Sequence, residues 1–441
     1  MSEPARTDVP ASIDLVSEEA RARELDARDP LTPLRERFSL PVDSAGEPLA
    51  YFTGNSLGLM PEAARSDVAE ILDAWASRGV EGYFEGDRPW VTYTDSARES
   101  LARLVGASPA EVVVMNTLTV NLHLMMATFY RPTAERFRIV IEDDAFPSDS
   151  YAVASQARWH GLDPARAVAR LRPRAGEHAL RTEDIEAFFA DEGDSVALVM
   201  LGGVNYLTGQ RFDMARVTAA ARDAGCMVGW DLAHAMGNVP LKLHEWGADF
   251  AAWCSYKYLN AGPAAVAGAF IHERHWHGGS AGRARLEGWW GHDPEDRFRM
   301  PPDFVPAPGA AAWQPSNAPI LSAAPLLASL ALFDEVGMDR LRERSIRLTG
   351  YLERLLGGGT GVSPVGERVR MLTPTEPGAR GAQLSVVVPG ASRRTLGLLR
   401  ERGIVCDFRE PDVIRAAPAP LYNTFHDCWR LARGLEETTG G

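Results

Sequence analysis

The sequence predicts an α/β protein: a large domain on a mainly parallel β-sheet covered by helices, followed by a smaller α+β C-terminal domain. Three observations carry that prediction. Apolar β-type runs alternate with helical stretches from Tyr51 to about Ala312. Pro and Gly then cluster from Pro301 to Pro319, the mark of a linker or an active-site loop. Beyond them a long helical stretch leads into a new strand, helix and strand. The 441 residues suffice for two or three domains, and 45% hydrophobic with 24% charged residues is a globular mixture.

Taken in order, residues 1–50 carry dense charge (Glu18, Glu19, Arg21, Arg23, Glu24, Asp26, Arg28, Asp29) among scattered Leu. They predict a helical arm on the surface of the body, packing with the small domain. Residues 51–315 form the large domain, with strands expected at Glu111–Met115, Arg138–Ile141, Val196–Leu201, Met227–Asp231, Asp249–Cys254 and Ala265–Ile271. Between two of them Asp213–Gly225 has a helical pattern closed by Gly225, a common helix-ending residue. Residues 316–441 form the small domain: helix over Ile320–Leu356, a break at Gly357–Gly359, strand Gln383–Val388, helix Arg393–Arg402 and strand Ile404–Cys406.

Charge and cysteine content narrow the function. A formal net charge of -13 argues against nucleic acid or an anionic membrane surface as partner. Four cysteines with no CxxC pair make neither a disulfide framework nor a zinc set, and a reducing cytoplasm is expected. The start, MSEPARTDVP, lacks a cationic segment followed by an apolar one, so no secretory signal is expected. The apolar run Ile320–Phe333 is too short to span a bilayer and contains Pro325.

Only two lysines occur, Lys242 and Lys257, against 44 arginines. Arg stays protonated and forms no imine, whereas a desolvated Lys can act as nucleophile or base. Each lysine therefore raises a functional question, although a biased codon supply would leave the same pair. Lys242 follows Pro240 in an alternating stretch and reads as a surface charge.

Ligands of open α/β sheets gather beyond the carboxyl ends of the strands. After Glu111–Met115 comes Asn116–Asn121 (NTLTVN), entering an apolar helix. Its free N–H groups and Thr hydroxyls would cradle a phosphate, or serve as an ordinary N-cap. Phe146-Pro147-Ser148-Asp149 forms a turn after the next strand. Strand Met227–Asp231 ends in a carboxylate, with His234 three residues on. Lys257 lies 26 residues beyond Asp231, room for a helix and most of a strand, on the same sheet edge. A strand-end lysine, a strand-end carboxylate and a phosphate cradle are together what pyridoxal phosphate requires: imine partner, counter-charge to the protonated ring nitrogen, and anion site. His272-Glu-Arg-His275-Trp-His277 fits no defined zinc spacing, Arg274 is in its midst, and no metal is expected. Neither lysine follows phosphate-loop glycines, which removes an NTPase reading.

Several segments resemble the kynureninase family: Tyr51–Leu59 (YFTGNSLGL), Asn116–Leu124 (NTLTVNLHL), Phe146–Asp149, Asp231–His234 (DLAH), Trp253–Gly262 (WCSYKYLNAG) and Ser316–Ile320 (SNAPI). Gly403–Asp407 (GIVCD), Ile414-Arg415 and Pro420–Asn423 (PLYN) continue the likeness, which runs in order from about residue 35 to 435. The resemblance implies a fold-type I pyridoxal-phosphate enzyme with a seven-stranded sheet, a homodimer with active sites at the subunit boundary. It implies hydrolysis of L-kynurenine, or also of its 3-hydroxy form, to anthranilate (or 3-hydroxyanthranilate) and L-alanine, in tryptophan catabolism, NAD synthesis or a specialised pathway. An aminotransferase or a cysteine desulfurase-like lyase is the alternative on the same fold.

Residue by residue, the resemblance places the imine-forming lysine on Lys257 and the ring-nitrogen carboxylate on Asp231, with His234 nearby. Leu118 and Thr119 would contact the cofactor, Phe146 would stack on its ring, and Pro147, Ser148 and Asp149 belong to the same turn. Tyr256, Trp289 and Asn317 match positions on the phosphate or substrate side, some of them reaching in from a partner subunit. Tyr256 is the candidate for proton movement at the substrate ketone. Arg415 would grip the substrate α-carboxylate, with Ser56, Tyr83 and Asn317 also on the substrate side. Two departures stand out: Gly202 where the family commonly has Ser, and Tyr83 where vertebrate members have His.

Overall fold

In a computed structural model of the protein, residues 13–276, 283–357, 365 and 369–439 are described. Seven strands form the central sheet: β1 (Val112–Val114), β2 (Arg138–Glu142), β3 (Val168–Leu171), β4 (Val196–Gly202), β5 (Met227–Asp231), β6 (Phe250–Trp253) and β7 (Gly268–Ile271). Their spatial order is β1-β7-β6-β5-β4-β2-β3. Strands β3, β2, β4, β5 and β6 run parallel, and β7 lies antiparallel between β6 and β1. Nearly every residue of β1, β4, β6 and β7 is buried, as expected of a sheet covered on both faces. One apolar core fills each face, Val140, Val199, Val228 and Trp253 on one side, Ile139, Leu198, Met200 and Phe250 on the other.

Six of these strands were legible as apolar runs; β3 was not. Its sequence VARL places Arg170 on the exposed side of an edge strand, so too few apolar residues mark it. The expected helix over Asp213–Gly225 forms at Met214–Asp223, capped by the Asp213 side chain, which accepts from the Arg216 N–H.

The stretch read as one helix, Ile320–Leu356, is two: Ile320–Val336 and Met338–Leu355, bent by 85° at Gly337. Gly337 has φ +84°, a conformation that ordinary L-residues avoid. Ile320–Val336 packs its Ala323, Leu326, Leu330 and Phe333 into the core of the seven-stranded sheet. No single helix among the described residues is long and apolar enough to cross a membrane.

A second core joins an antiparallel sheet of β8 (Arg370–Met371), β9 (Leu384–Val387), β10 (Asp407–Arg409) and β11 (Val413–Ala416), ordered β8-β9-β11-β10. Leu384, Val386 and Ile414 meet Leu348, Leu352, Phe425 and Leu431 there. Helix Leu15–Arg28 lies against helix Phe425–Thr439; Asp26 accepts from the Phe425 and His426 N–H groups, and Trp429 Nε1 donates to the Leu15 carbonyl. Ala50–Tyr51 pairs in parallel with Ile404–Val405, which delivers residues 53–58 to the gap between the two cores. Of the expected Gly357–Gly359 break, residues 358 and 359 lie outside the described residues.

Candidate active site

Because β2, β4 and β5 are parallel neighbours, their carboxyl ends share one edge, and Glu142, Gly202 and Asp231 close them. Lys257 follows the end of β6 on the same edge, and Thr117–Thr119 follow β1. Together they line a cavity of about 320 Å³.

The lysine loop is held by a close backbone approach. Gly58 N–H donates to the Tyr256 carbonyl at 2.8 Å, and a Cβ at Gly58 would stand 2.3 Å from the Lys257 carbonyl oxygen. Only glycine fits there. Lys257 Nζ lies 3.0 Å from His234 Nε2. Burial, with the charges of Lys257, Arg415 and Arg409, pushes the His234 pKa well below its usual value. The imidazole is therefore neutral; Nε2 accepts from the lysine and Nδ1 carries the proton. That Nδ1–H is buried and has no acceptor among the described residues.

Asp231 Oδ1 accepts the Ala233 N–H at 2.7 Å, which fixes the carboxyl at the strand end. Burial raises its pKa, partly offset by a hydrogen bond from Asp149, the Ala233 N–H and Lys257. Asp149 is pushed well above the usual carboxylate range, chiefly by burial and then by the facing Asp231 charge. Asp149 thus holds the proton and donates it to Asp231.

Asn116, with φ +48°, turns the chain from β1 into helix Leu118–Phe129. The N-cap residue Thr117 makes no side-chain capping bond, so the alternative of an ordinary cap is not realised and the first N–H groups stay free. Thr119 Oγ1 instead meets Ser148 Oγ at 2.8 Å. Helix Pro147–Trp159 also begins here, with Phe146 edge-on to Tyr206 at 5.2 Å. Two helix N-termini beside one cavity favour an anion.

These residues fit pyridoxal phosphate. Asp231 meets the need for an anion at the ring nitrogen, Lys257 offers the amine, the uncapped helix start suits the phosphate, and the unpaired His234 Nδ1–H is a further donor.

At the opposite end of the cavity stand Ser56, Tyr206, Arg409 and Arg415. Arg415 is 1% exposed; burial lowers its pKa to about 10, so it stays charged at neutral pH. Its Nη1 donates to the Tyr206 carbonyl at 2.5 Å and its Nη2 to Asp407. Tyr256 lines the wall, and burial raises its phenol pKa above the usual value, so the hydroxyl keeps its proton.

Of the sequence-predicted residues, Ser56, Leu118, Thr119, Phe146, Ser148, Asp149, Gly202, Asp231, His234, Tyr256, Lys257 and Arg415 line this cavity. Pro147 opens the helix behind Phe146 and does not. Tyr83, Trp289 and Asn317 do not reach it within one chain. Asn317 Nδ2 donates to the Tyr83 hydroxyl at 3.4 Å, in a separate open groove of about 580 Å³ with Trp75, Val80 and Leu321. Trp289 packs edge-on to Phe298 and donates to the Arg297 carbonyl.

Sequence reasoning missed Asn55, Glu142, Tyr206 and Arg409, which also line the cavity. Glu142 had a signal: like Asp231, it is a carboxylate at the end of a parallel strand. Its Oε2 accepts the Gly202 N–H at 3.1 Å, and a Cβ at Gly202 would lie 3.1 Å from Oε1. Any side chain at 202 would crowd Glu142.

Burial raises the Glu142 pKa to about 7. The unfolded chain releases that proton near the ordinary value of about 4.3. Between those pH values the folded state binds the extra proton, so stability falls as pH rises and levels off above about 7. A shift of this size corresponds to on the order of 3 kcal/mol. Thermal unfolding of cofactor-free protein from pH 5 to 8 is therefore expected to show a shallower decline in Glu142→Gln than in wild type. Equal declines would contradict the assignment.

Away from the cavity, Lys242 is exposed and pairs with Glu245 at 3.1 Å. The histidines of the 272–277 segment separate: His275 meets Asp249 at 2.7 Å, while His272 stacks on His244 beside Glu111. His244 Nδ1 lies 2.9 Å and His272 Nδ1 3.7 Å from Glu111 Oε1, and Glu111 also accepts from the Ser108 and Glu273 N–H groups. His277 lies outside the described residues.

The chain matches the aminotransferase class-V family model over residues 58–299 and the kynureninase C-terminal domain model over residues 341–435. It is 55% identical to a kynureninase from Salinispora tropica over 429 residues, covering 96% of this chain and 98% of that one. A kynureninase from Myxococcus xanthus is 56% identical over 418 residues, with 95% and 96% covered. Among solved structures, the cysteine desulfurase CsdA from Escherichia coli superposes with a TM-score of 0.74 at 17% identity, covering 93% of this chain and 99% of that one. The cystine C-S lyase C-DES, in complex with cysteine persulfide, gives 0.72 at 19% identity, with 88% and 97% covered. These two share the fold. Sequence identity over nearly the whole length decides the family: the chain belongs to the kynureninases, pyridoxal-phosphate enzymes of the class-V aminotransferase fold.

Proposed function

We propose that the chain hydrolyses the Cβ–Cγ bond of L-kynurenine, releasing anthranilate and L-alanine, as a step of tryptophan catabolism. The observation that carries this reading is the convergence of Lys257, Asp231 and an open helix N-terminus on one cavity whose far end presents Arg415.

When bound, pyridoxal phosphate supplies an electron sink for the bond changes at the substrate α- and β-carbons. Asp231 keeps a negative charge at the ring nitrogen, and Asp149 steadies it by hydrogen bonding. Leu118 and Thr119 would offer donors to the phosphate, and Phe146 would lie against the ring. Lys257 would hold the cofactor through its amine and, when that amine is free, would take the substrate α-proton and return it. Arg415 binds the α-carboxylate through its planar fork, with Ser56 beside it. Tyr256, protonated throughout the working pH range, donates to the ketone oxygen as water adds there.

Tyr83, Asn317 and Trp289 enter this reading from a second copy. Trp75 (60% exposed), Val80 (70%) and Leu321 (45%) line the Tyr83 groove, an apolar surface suited to a dimer contact. A cytoplasmic homodimer, an arm of residues 1–50, a large domain of 51–315 and a small domain of 316–441 belong to the same reading, with helix Ile320–Val336, numbered in the small domain, packing on the core of the large one. Tyr83 then faces the substrate ring and governs acceptance of a 3-hydroxyl group.

Desulfuration, the activity of the structural neighbour CsdA, needs a cysteine on a mobile loop. Here Cys226, Cys254 and Cys428 are buried and Cys406 is half-buried beside β10. Holoenzyme with L-kynurenine is expected to release anthranilate and alanine in equal amounts. A keto acid in place of alanine would turn the reading to transamination, and no product at all would overturn it.

A further inference from the structure

We infer that Asp407, which does not line the cavity, is the positioning residue for the substrate-carboxylate grip, gathering Arg415, Arg409 and Ser56 into one charge-balanced unit. The inference deepens the kynurenine reading and rests on it.

Local geometry builds the unit. Asp407 on β10 stands opposite Arg415 on β11 in antiparallel register, so their side chains share a face. Arg409 lies two residues along the same strand and on the same face. Asp407 Oδ2 accepts from Arg415 Nη2, from Arg409 Nη2 at 3.2 Å and from Ser56 Oγ at 3.0 Å. One carboxylate oxygen thus ties together three residues of the cavity wall. The Tyr206 carbonyl restrains the other arm of the Arg415 fork.

Two donors are left over. Arg415 Nε and Arg409 Nε are both buried and have no acceptor among the described residues. Two guanidiniums against one carboxylate leave a single net positive charge at this end of the cavity, the complement of one α-carboxylate. Without Asp407, the two guanidiniums would repel each other, and Arg415 would lose the contact that aims its fork. Lys257 and Asp231, at the other end, would be untouched. Asp407 should therefore govern substrate binding and leave the chemical step alone.

The experiment compares wild-type holoenzyme with Asp407→Asn and Asp407→Glu. In Asp407→Asn, KM for L-kynurenine is expected to rise about tenfold or more, the worth of a charge-assisted hydrogen bond, while kcat stays within about threefold. Kynuramine, the amine that lacks the α-carboxylate, should inhibit wild type and variant with the same Ki. Asp407→Glu keeps the charge one methylene further out and should give an intermediate KM, which reads the same point if the Asn variant fails to fold. An unchanged KM, or a kynuramine Ki rising in step with KM, overturns the inference while leaving the substrate reading intact. A wild type that releases no anthranilate overturns the substrate reading and this inference with it.

Discussion

Lys257→Ala is expected to lower kcat for L-kynurenine by on the order of 10³-fold or more, because the step loses both its covalent anchor and its proton carrier. The composition of the chain makes this loss unusually clean. The one other lysine, Lys242, is exposed, is paired with Glu245 and follows no strand of the cavity edge, so no amine stands ready to substitute. The other basic side chains lining the cavity are Arg409, Arg415 and the neutral His234, none of which forms a stable imine. The fold should survive, since Lys257 is half-buried in a loop whose backbone is fixed by Gly58 and Asn260. Steady-state turnover, read alongside thermal unfolding, checks this. A variant that keeps a tenth of wild-type activity would mean that another group does the chemistry.

Asp231→Asn should be nearly as damaging. Asparagine keeps the size and can still accept the Ala233 N–H, so the strand end should hold its shape. What it lacks is the charge proposed to keep the ring nitrogen protonated, and removing one such preorganised electrostatic contact costs about 10²–10³ in kcat. The cofactor should also dissociate more readily. Asp149 changes too: the Asp231 charge is the second cause of its raised pKa, so its carboxyl should ionise at a lower pH in the variant. A kcat within about threefold of wild type would remove Asp231 from the chemistry.

Much of this site could be read from the chain because strand ends announce themselves. An apolar run that stops at Asp231, and another that stops before Tyr256-Lys257, put both residues on the edge where parallel strands end. The scarcity of lysine left two to weigh, Lys242 and Lys257, and the strand-end place beside Asp231 picked out Lys257. The Asn116–Thr119 segment was ambiguous, since free N–H groups and a capped helix share one composition; Thr117 makes no side-chain capping bond, which leaves those N–H groups open to an anion. Glu142 carried the same strand-end signal as Asp231 and was overlooked because the strand was drawn one residue short.

Other features had no local signal. Asp407, Arg409 and Arg415 come together through a β10–β11 hairpin, and β11 was not marked as a strand because VIRA is short and interrupted by Arg. Strand β3 failed for the same reason. The bend at Gly337 was hidden inside two adjoining apolar helices. Tyr83, Trp289 and Asn317 were placed in the site by resemblance alone, and a single chain holds them away from the cavity, which is why a second copy is part of the proposed function.

The central claim is that Lys257 carries pyridoxal phosphate in the resting enzyme. Reduction of the holoenzyme with borohydride, digestion and mass analysis of the peptides tests it most directly. A phosphopyridoxyl group on the peptide containing Trp253–Gly262, at Lys257, is the expected result. A tag on Lys242, or on no peptide, would contradict it.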